Sequence, residues 1–318
     1  MAKSIHEKVY GAIFGYAIGD ALGLGTEFMT RKEVIRHYPA GLTDYSMIIR
    51  DAHRSQWKRG DFSTDTVMLE KQIESLVENN GIDYKDTARR FRSVYDDSTS
   101  DLTNNLRWVL SQPTYVDNPF GTTERVWGGM AKFDASGEGL NRALIAGMWN
   151  ENLPQTAIAY CNLTHKHPRC EAASAIIATM AASLMWEDKE ASYDKLVAVA
   201  KEINPDTVRY LELAKHGELT DLHLDDPDTL WFVRKAMGAA LWAIWHCDSP
   251  TEGLYAIVNE GGDADTNAAL AQGLLGLKYG LSALDPKLID GLREKDKIGK
   301  IAERFTAALE WRAPQINK

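Results

Sequence analysis

The chain has 318 residues, 44% hydrophobic and 25% charged, the composition of an ordinary globular protein and a length that suits one large domain or two medium ones. Its formal net charge of −9 argues against a general nucleic-acid binder, which carries a basic excess. Cys161, Cys170 and Cys247 are too few and too scattered for a disulfide framework or a C-x-x-C metal site.

In chain order, Ser4-Ile5-His6-Glu7 reads as a capping box that opens a helix, with Ile5, Val9, Ile13, Tyr16 and Ala17 at helical period. Gly11, Gly15, Gly19 and Gly23 recur every fourth residue and form one bare stripe. A glycine inside a helix costs ~1 kcal/mol relative to alanine, so the stripe predicts a neighbouring helix packed close against it. Asp20 closes this run as a single acid among apolar residues, and Glu27 follows in the next loop; capping and surface charge would account for both equally well. Thr30-Arg31-Lys32-Glu33 is a second capping box, for a short helix to about His37. Residues 39–61 have no sustained period and read as a long loop, of the length that more often serves function.

Ser63-Thr64-Asp65-Thr66 stands at the start of the next helix, which carries Met68, Leu69, Ile73, Leu76 and Val77 and stops at Asn80-Gly81. Further helices are expected near 84–95, 101–111, 141–149, 154–163, 168–186, 192–203, 206–215, 228–246, 251–259, 266–279, 286–293 and 298–312, with prolines mostly at their ends. Residues 113–140 read as a second long loop. Trp57 and Trp127 are expected to anchor the loops they sit in, and Trp231, Trp242 and Trp245 to lie in the core on one helix. Alternating β-branched runs are nearly absent and no fixed repeat appears. The reading is all-α: one compact, multi-helical orthogonal bundle forming a single domain over 1–318. No window of ~18 apolar residues could span a membrane and no basic segment leads into an apolar run as in a secretory leader, so a cytoplasmic protein without a membrane partner is expected.

The stretch Asn259-Glu260-Gly261-Gly262-Asp263-Ala264-Asp265-Thr266 opens the helix near 266–279. Asp263, Asp265 and the Thr266 hydroxyl form a hard-oxygen set of the kind that Mg²⁺, Mn²⁺ or Ca²⁺ favours. A polar helix cap with glycines for the turn would look the same. Asp65-Thr66 is a second D-T helix start, and two such turns are what the halves of one divalent-ion site would look like.

Three blocks together resemble the ADP-ribosylglycohydrolase family. They are Gly11 to Gly23 with Glu27-Phe28, then Thr164-His165-Lys166-His167-Pro168, and finally Gly261-Gly262-Asp263-Ala264-Asp265-Thr266-Asn267-Ala268. They occur in the family's order across nearly the whole chain. The resemblance implies an all-helical fold with a centre of one or two Mg²⁺ or Mn²⁺ ions and hydrolysis of the glycosidic bond between ADP-ribose, or a related ribosyl group, and an acceptor. The substrate would be an ADP-ribosylated protein or a small ribosyl compound. It assigns Ser63, Thr64, Asp65, Asp263, Asp265 and Thr266 to the metal, Glu27 and Asp65 to catalysis, and Asp20, Gly137, Gly139, Asn141, His165 and Gly262 to ligand binding.

The sequence departs from the family's pattern in two places. Thr64 replaces the first Asp of T-D-D-T, which weakens the site for one ion; Asp61 lies close enough in sequence to substitute. In Ser136-Gly137-Glu138-Gly139-Leu140-Asn141-Arg142, Arg142 fills a glycine position and would put a side chain where the backbone meets the ligand. The acidic residue expected before the next helix has three candidates, Asp96, Asp97 and Asp101. These departures leave room for a binding protein with a degraded centre, or for a hydrolase of a different ribosyl compound.

Overall fold

The computed structural model describes residues 3–97, 101–129 and 135–316. Sixteen α-helices run through these residues. The first half carries α1 (Ile5–Gly23), α2 (Arg31–His37), α3 (Thr64–Glu78), α4 (Tyr84–Asp96), α5 (Asn104–Leu110), α6 (Pro119–Gly129), α7 (Asn141–Trp149) and α8 (Gln155–Asn162). The second half carries α9 (Pro168–Trp186), α10 (Tyr193–Ile203), α11 (Val208–His216), α12 (Val233–His246), α13 (Pro250–Val258), α14 (Ala264–Tyr279), α15 (Pro286–Gly291) and α16 (Lys295–Ile316). The described residues contain no β-strand, only an isolated bridge between Ser136 and Phe232. The all-α expectation holds. No helix among them is long and apolar enough to cross a membrane.

The glycine stripe explains the centre of the fold. A methyl group on Gly11 would meet Gly276 O at 2.5 Å, and one on Gly15 would meet Gln272 O at 2.5 Å. Gly19 faces Ala268 and Gly23 faces Ala264 and Asp265. As the α1 number rises by four, the α14 number falls by about four, so the two helices run antiparallel with backbones in direct contact. Both are buried along most of their length, with Val9, Ala12, Ile13 and Ala17 on one and Ala268, Ala271, Leu274 and Leu275 on the other fully sequestered. Small residues thus give up side-chain burial for close approach. That approach brings the start of α14 against the end of α1.

Four expectations require correction. Ser4 does accept from Glu7 N at 3.1 Å, but the Glu7 carboxylate caps Ser282 N at 3.0 Å instead of returning to residue 4. The expected loop at 113–140 contains α6: Pro119 at its start has φ preset for helix, and Asn118 Oδ1 accepts from Gly121 N at 3.1 Å. The helix expected from 228 begins at Val233, because Asp226 holds Asp228 N at 3.1 Å and Thr229 Oγ1 at 2.8 Å in a local turn. Trp231 therefore lies outside the helix and is 45% exposed rather than in the core.

The fourth correction is Arg142, which does not enter the glycine turn. Its guanidinium is fully buried, lies 4.8 Å above the Phe91 ring and donates to Thr164 Oγ1 at 2.6 Å.

Candidate metal centre and its cavity

Four segments converge at the junction of α1 and α14. Asp20, on α1, is completely buried and accepts from Ser63 N at 2.9 Å, Thr66 N at 3.1 Å and Thr66 Oγ1 at 2.6 Å. It caps the first turn of α3 from a different helix, satisfying N–H groups that have no partner within their own helix. The turn before α14 uses Gly261 (φ +78°) and Gly262 (φ +72°), conformations that glycine adopts without strain. Gly262 N donates to Met29 O at 2.9 Å and Phe28 N donates to Gly262 O at 2.7 Å, which fastens the Glu27 loop to the Asp263 turn. Thr266 Oγ1 then donates to Asp65 Oδ2 at 2.9 Å and joins the two D-T helix starts.

The result is a carboxylate cluster. Glu27, Asp263 and Asp265 each offer an oxygen within 4.8 Å of the others. Asp265 Oδ1 is buried without a hydrogen-bond partner, a costly state for a carboxylate unless a cation faces it. Asp263 has no side-chain cap bond to its helix, so the plain capping account of this acid fails. The protein supplies oxygen donors alone here, the chemistry that suits Mg²⁺ or Mn²⁺. The residues present fit a divalent ion.

Electrostatics agree. Burial, then the negative charges of Glu27 and Glu138, pushes the Asp263 carboxyl up to about 8. Burial, then Glu27, Asp263, Asp65 and Asp20, raises Asp265 well above the carboxylate range, and burial with Asp20, Glu138 and Asp263 does the same to Asp65. Burial raises Asp20 to about 7 even though hydrogen bonds from Thr66 and Ser63 oppose it. Such a group of acids cannot all ionise together without positive charge nearby.

A cavity of about 670 Å³ opens over the cluster. Glu27, Ser63, Thr64, Asp65, Gly137, Asp263, Asp265 and Thr266 line it, as do Asp101, Thr103, Glu138, Phe28 and Trp231. Of the expected ligand-binding residues only Gly137 is on this lining. Asp20 lies beneath it, Asn141 donates from behind to Asp65 O at 3.2 Å, and Gly139 backs onto the His165 ring. His165 is buried, with Nε2 2.9 Å from Asn105 Nδ2 and 3.1 Å from Ser136 Oγ. Gly262 serves the turn.

Asp61 does not substitute for the residue lost at 64, because it pairs with Arg293 Nε at 2.8 Å. It faces a separate outer cleft of about 730 Å³ that shares only Ser63, Thr64 and Asp101 with the cavity.

Three contributors were not legible beforehand. Asp101, one of three candidates, is the acid on the cavity wall; Asp97 lines the outer cleft and Asp96 pairs with Arg92 at 3.1 Å. Asp101 accepts from Thr64 N at 3.0 Å and from Trp57, and burial moves its carboxyl up to about 6. Trp57 also meets the His53 ring edge-on at 5.1 Å. His53 Nε2 is 2.7 Å from Glu27 Oε2, and nothing in the local sequence of either residue signals that pairing. Glu138 sits in the glycine turn and drew no assignment of its own. Trp127, expected to anchor a loop, lies on α6 with its ring edge-on to His167 at 5.8 Å.

Known proteins resemble this chain over most of its length. A family model described as ADP-ribosylglycohydrolase matches residues 1–315. The chain is 27% identical over 309 residues to the ADP-ribosyl-[dinitrogen reductase] glycohydrolase of Rhodospirillum rubrum, covering 92% of this chain and 95% of the relative. It is 25% identical to the ADP-ribosylarginine hydrolase Tri1 of Serratia proteamaculans, covering 94% and 79%. A solved structure titled ADP-ribosylglycohydrolase-related protein complex shares the fold with a TM-score of 0.76 at 22% identity, covering 96% of this chain and 99% of that one.

Proposed function

Since the chain belongs to the ADP-ribosylglycohydrolase family, we propose that it is a single-domain, metal-dependent hydrolase of the glycosidic bond that joins an ADP-ribosyl or related ribosyl group to its acceptor. The observation that carries this reading is the unpartnered, buried Asp265 Oδ1 beside Asp263 and Glu27. Asp263, Asp265, Asp65 and Glu27, with the Ser63 and Thr266 hydroxyls, would hold Mg²⁺ or Mn²⁺. Bound there, such an ion would supply Lewis acidity that brings the pKa of water toward neutrality and a template for the substrate's oxygens.

The protein's own groups supply the remaining work. Asp101, on the cavity wall with its carboxyl raised to about 6, is placed to hold or give up a proton near neutral pH, the range in which a general acid or base is effective. Trp57 and Thr64 N fix its orientation. His53 holds Glu27 against the cluster. Phe28 and Trp231, both exposed at the cavity, offer apolar faces to the ligand.

Calorimetric titration with Mn²⁺ should show uptake by the wild type and its loss in Asp265→Ala. The loaded wild type should release ADP-ribose from a modified arginine, or ribose from a simpler riboside. A protein that takes up no Mn²⁺ at millimolar concentration would sink the reading.

A further inference from the structure

The cavity carries six carboxylates, from Glu27, Asp65, Asp101, Glu138, Asp263 and Asp265, and among the described lining residues no lysine, arginine or histidine. Five of these acids fall within the metal reading or its proton chemistry. Glu138 does not: it is not among the carboxylates clustered within 4.8 Å of one another, and its carboxylate contacts Thr103, Ser136 and His165 instead.

Glu138 is only 7% exposed and rigidly held. Oε2 accepts a short hydrogen bond from Thr103 Oγ1 at 2.5 Å, and Oε1 accepts from Ser136 Oγ at 3.0 Å with His165 Nε2 at 3.4 Å. Burial works against its ionisation, but these hydrogen bonds and His165 prevail and hold its carboxyl below the usual range. The turn carrying it leans on the metal cluster: a methyl group on Gly137 would sit 3.4 Å from Thr266 Cγ2 and 3.8 Å from Asp263 Oδ2. The Arg142 guanidinium lies behind the turn and is off the lining, and Lys71, Arg107 and Lys297 line the outer cleft instead. On the cavity's own lining a ligand therefore meets carboxylates and, among the described residues, no lysine, arginine or histidine.

We propose that Glu138 is a specificity-determining residue that accepts a hydrogen bond from a sugar hydroxyl and rejects a phosphate at the wall formed by residues 136–138. The inference rests on the ribosyl reading above and narrows it: the preferred substrate is a riboside without phosphate against this turn. A hydroxyl donates to a carboxylate in a strong, charge-assisted bond, whereas a phosphate placed there brings like charges together at low dielectric.

The test uses the full chain loaded with Mn²⁺ and measures calorimetric affinity for adenosine and for ADP-ribose. Wild type should bind adenosine at least as tightly as ADP-ribose at low ionic strength. Glu138→Gln should strengthen ADP-ribose binding roughly tenfold, as removal of one like charge at short range predicts, and change adenosine binding much less. Salt gives a second measure that needs no variant, since raising NaCl should improve ADP-ribose binding relative to adenosine by screening the repulsion. Tight ADP-ribose binding by wild type that weakens in Glu138→Gln or with salt would overturn the assignment while leaving the ribosyl reading intact. Failure of the loaded wild type to bind either probe would overturn both.

Discussion

At position 64 a hydroxyl stands where the resembled motif has a carboxylate, and the surroundings show what that costs. Thr64 lines the cavity beside Asp65, with its N–H committed to Asp101. Asp65 keeps one oxygen bound to Thr266, so the α3 side of the centre offers a divalent ion less charge than the α14 side. Thr64→Asp should raise Mn²⁺ affinity about tenfold, ~1.4 kcal/mol, or add a second ion to the stoichiometry, as read by calorimetry. No change in either would mean that residue 64 does not face the metal. The motif letters made Asp65, Asp263 and Asp265 legible, because short spacing at helix starts is a local signal. His53 pairing with Glu27 and the choice of Asp101 over its neighbours depend on chain segments brought together by folding, which no local pattern encodes.

Among the elements, the α1–α14 pair governs the rest. Gly15→Ala would gain ~1 kcal/mol of intrinsic helix propensity, yet its methyl group must displace Gln272 O, 2.5 Å away. Overpacking a core typically costs about 1–3 kcal/mol, and here the obstacle is backbone rather than a movable side chain. The variant should lose about 2 kcal/mol of net stability in urea denaturation; a gain would show that the helices part easily. The four-residue glycine period revealed this contact in advance. Helix α6 escaped notice because Gly121, Gly128 and Gly129 look like loop residues while Thr122 and Thr123 supply its buried face. Trp231 misled for the opposite reason: large aromatic residues on a predicted helix imply burial, but the local Asp226 turn makes that helix start late, after Trp231.

For the whole molecule, the acid cluster should couple stability to pH and to any bound metal. Asp101, Asp20 and Asp263 titrate at about 6, 7 and 8 in the fold, against ~3.9 in an unfolded chain. A raised folded pKa means that the native state binds these protons more tightly than the unfolded state does. Stability from these groups is therefore greatest below about pH 4 and declines as pH rises through the 6–8 range. The metal-free protein should show a falling Tm between about pH 5 and 8.5, and Mn²⁺ should flatten the fall while releasing protons on binding. A Tm that is level across that range without metal would contradict the electrostatic account. The all-helical architecture was legible from periodicity and proline placement. The cavity wall was not, because it is assembled from residues as far apart as Glu27, Asp101, Glu138 and Asp263.

The bare stripe on α1 also bears on how an ion would be received. With backbone set against backbone, α14 cannot slide or roll on α1 by repacking side chains. The Asp20 end of one helix and the Asp265 end of the other are thus held at a separation fixed by peptide geometry. A cation at this junction would find these two helix ends already in position. It would still have to shed water and displace protons, but not to bring the two helices together.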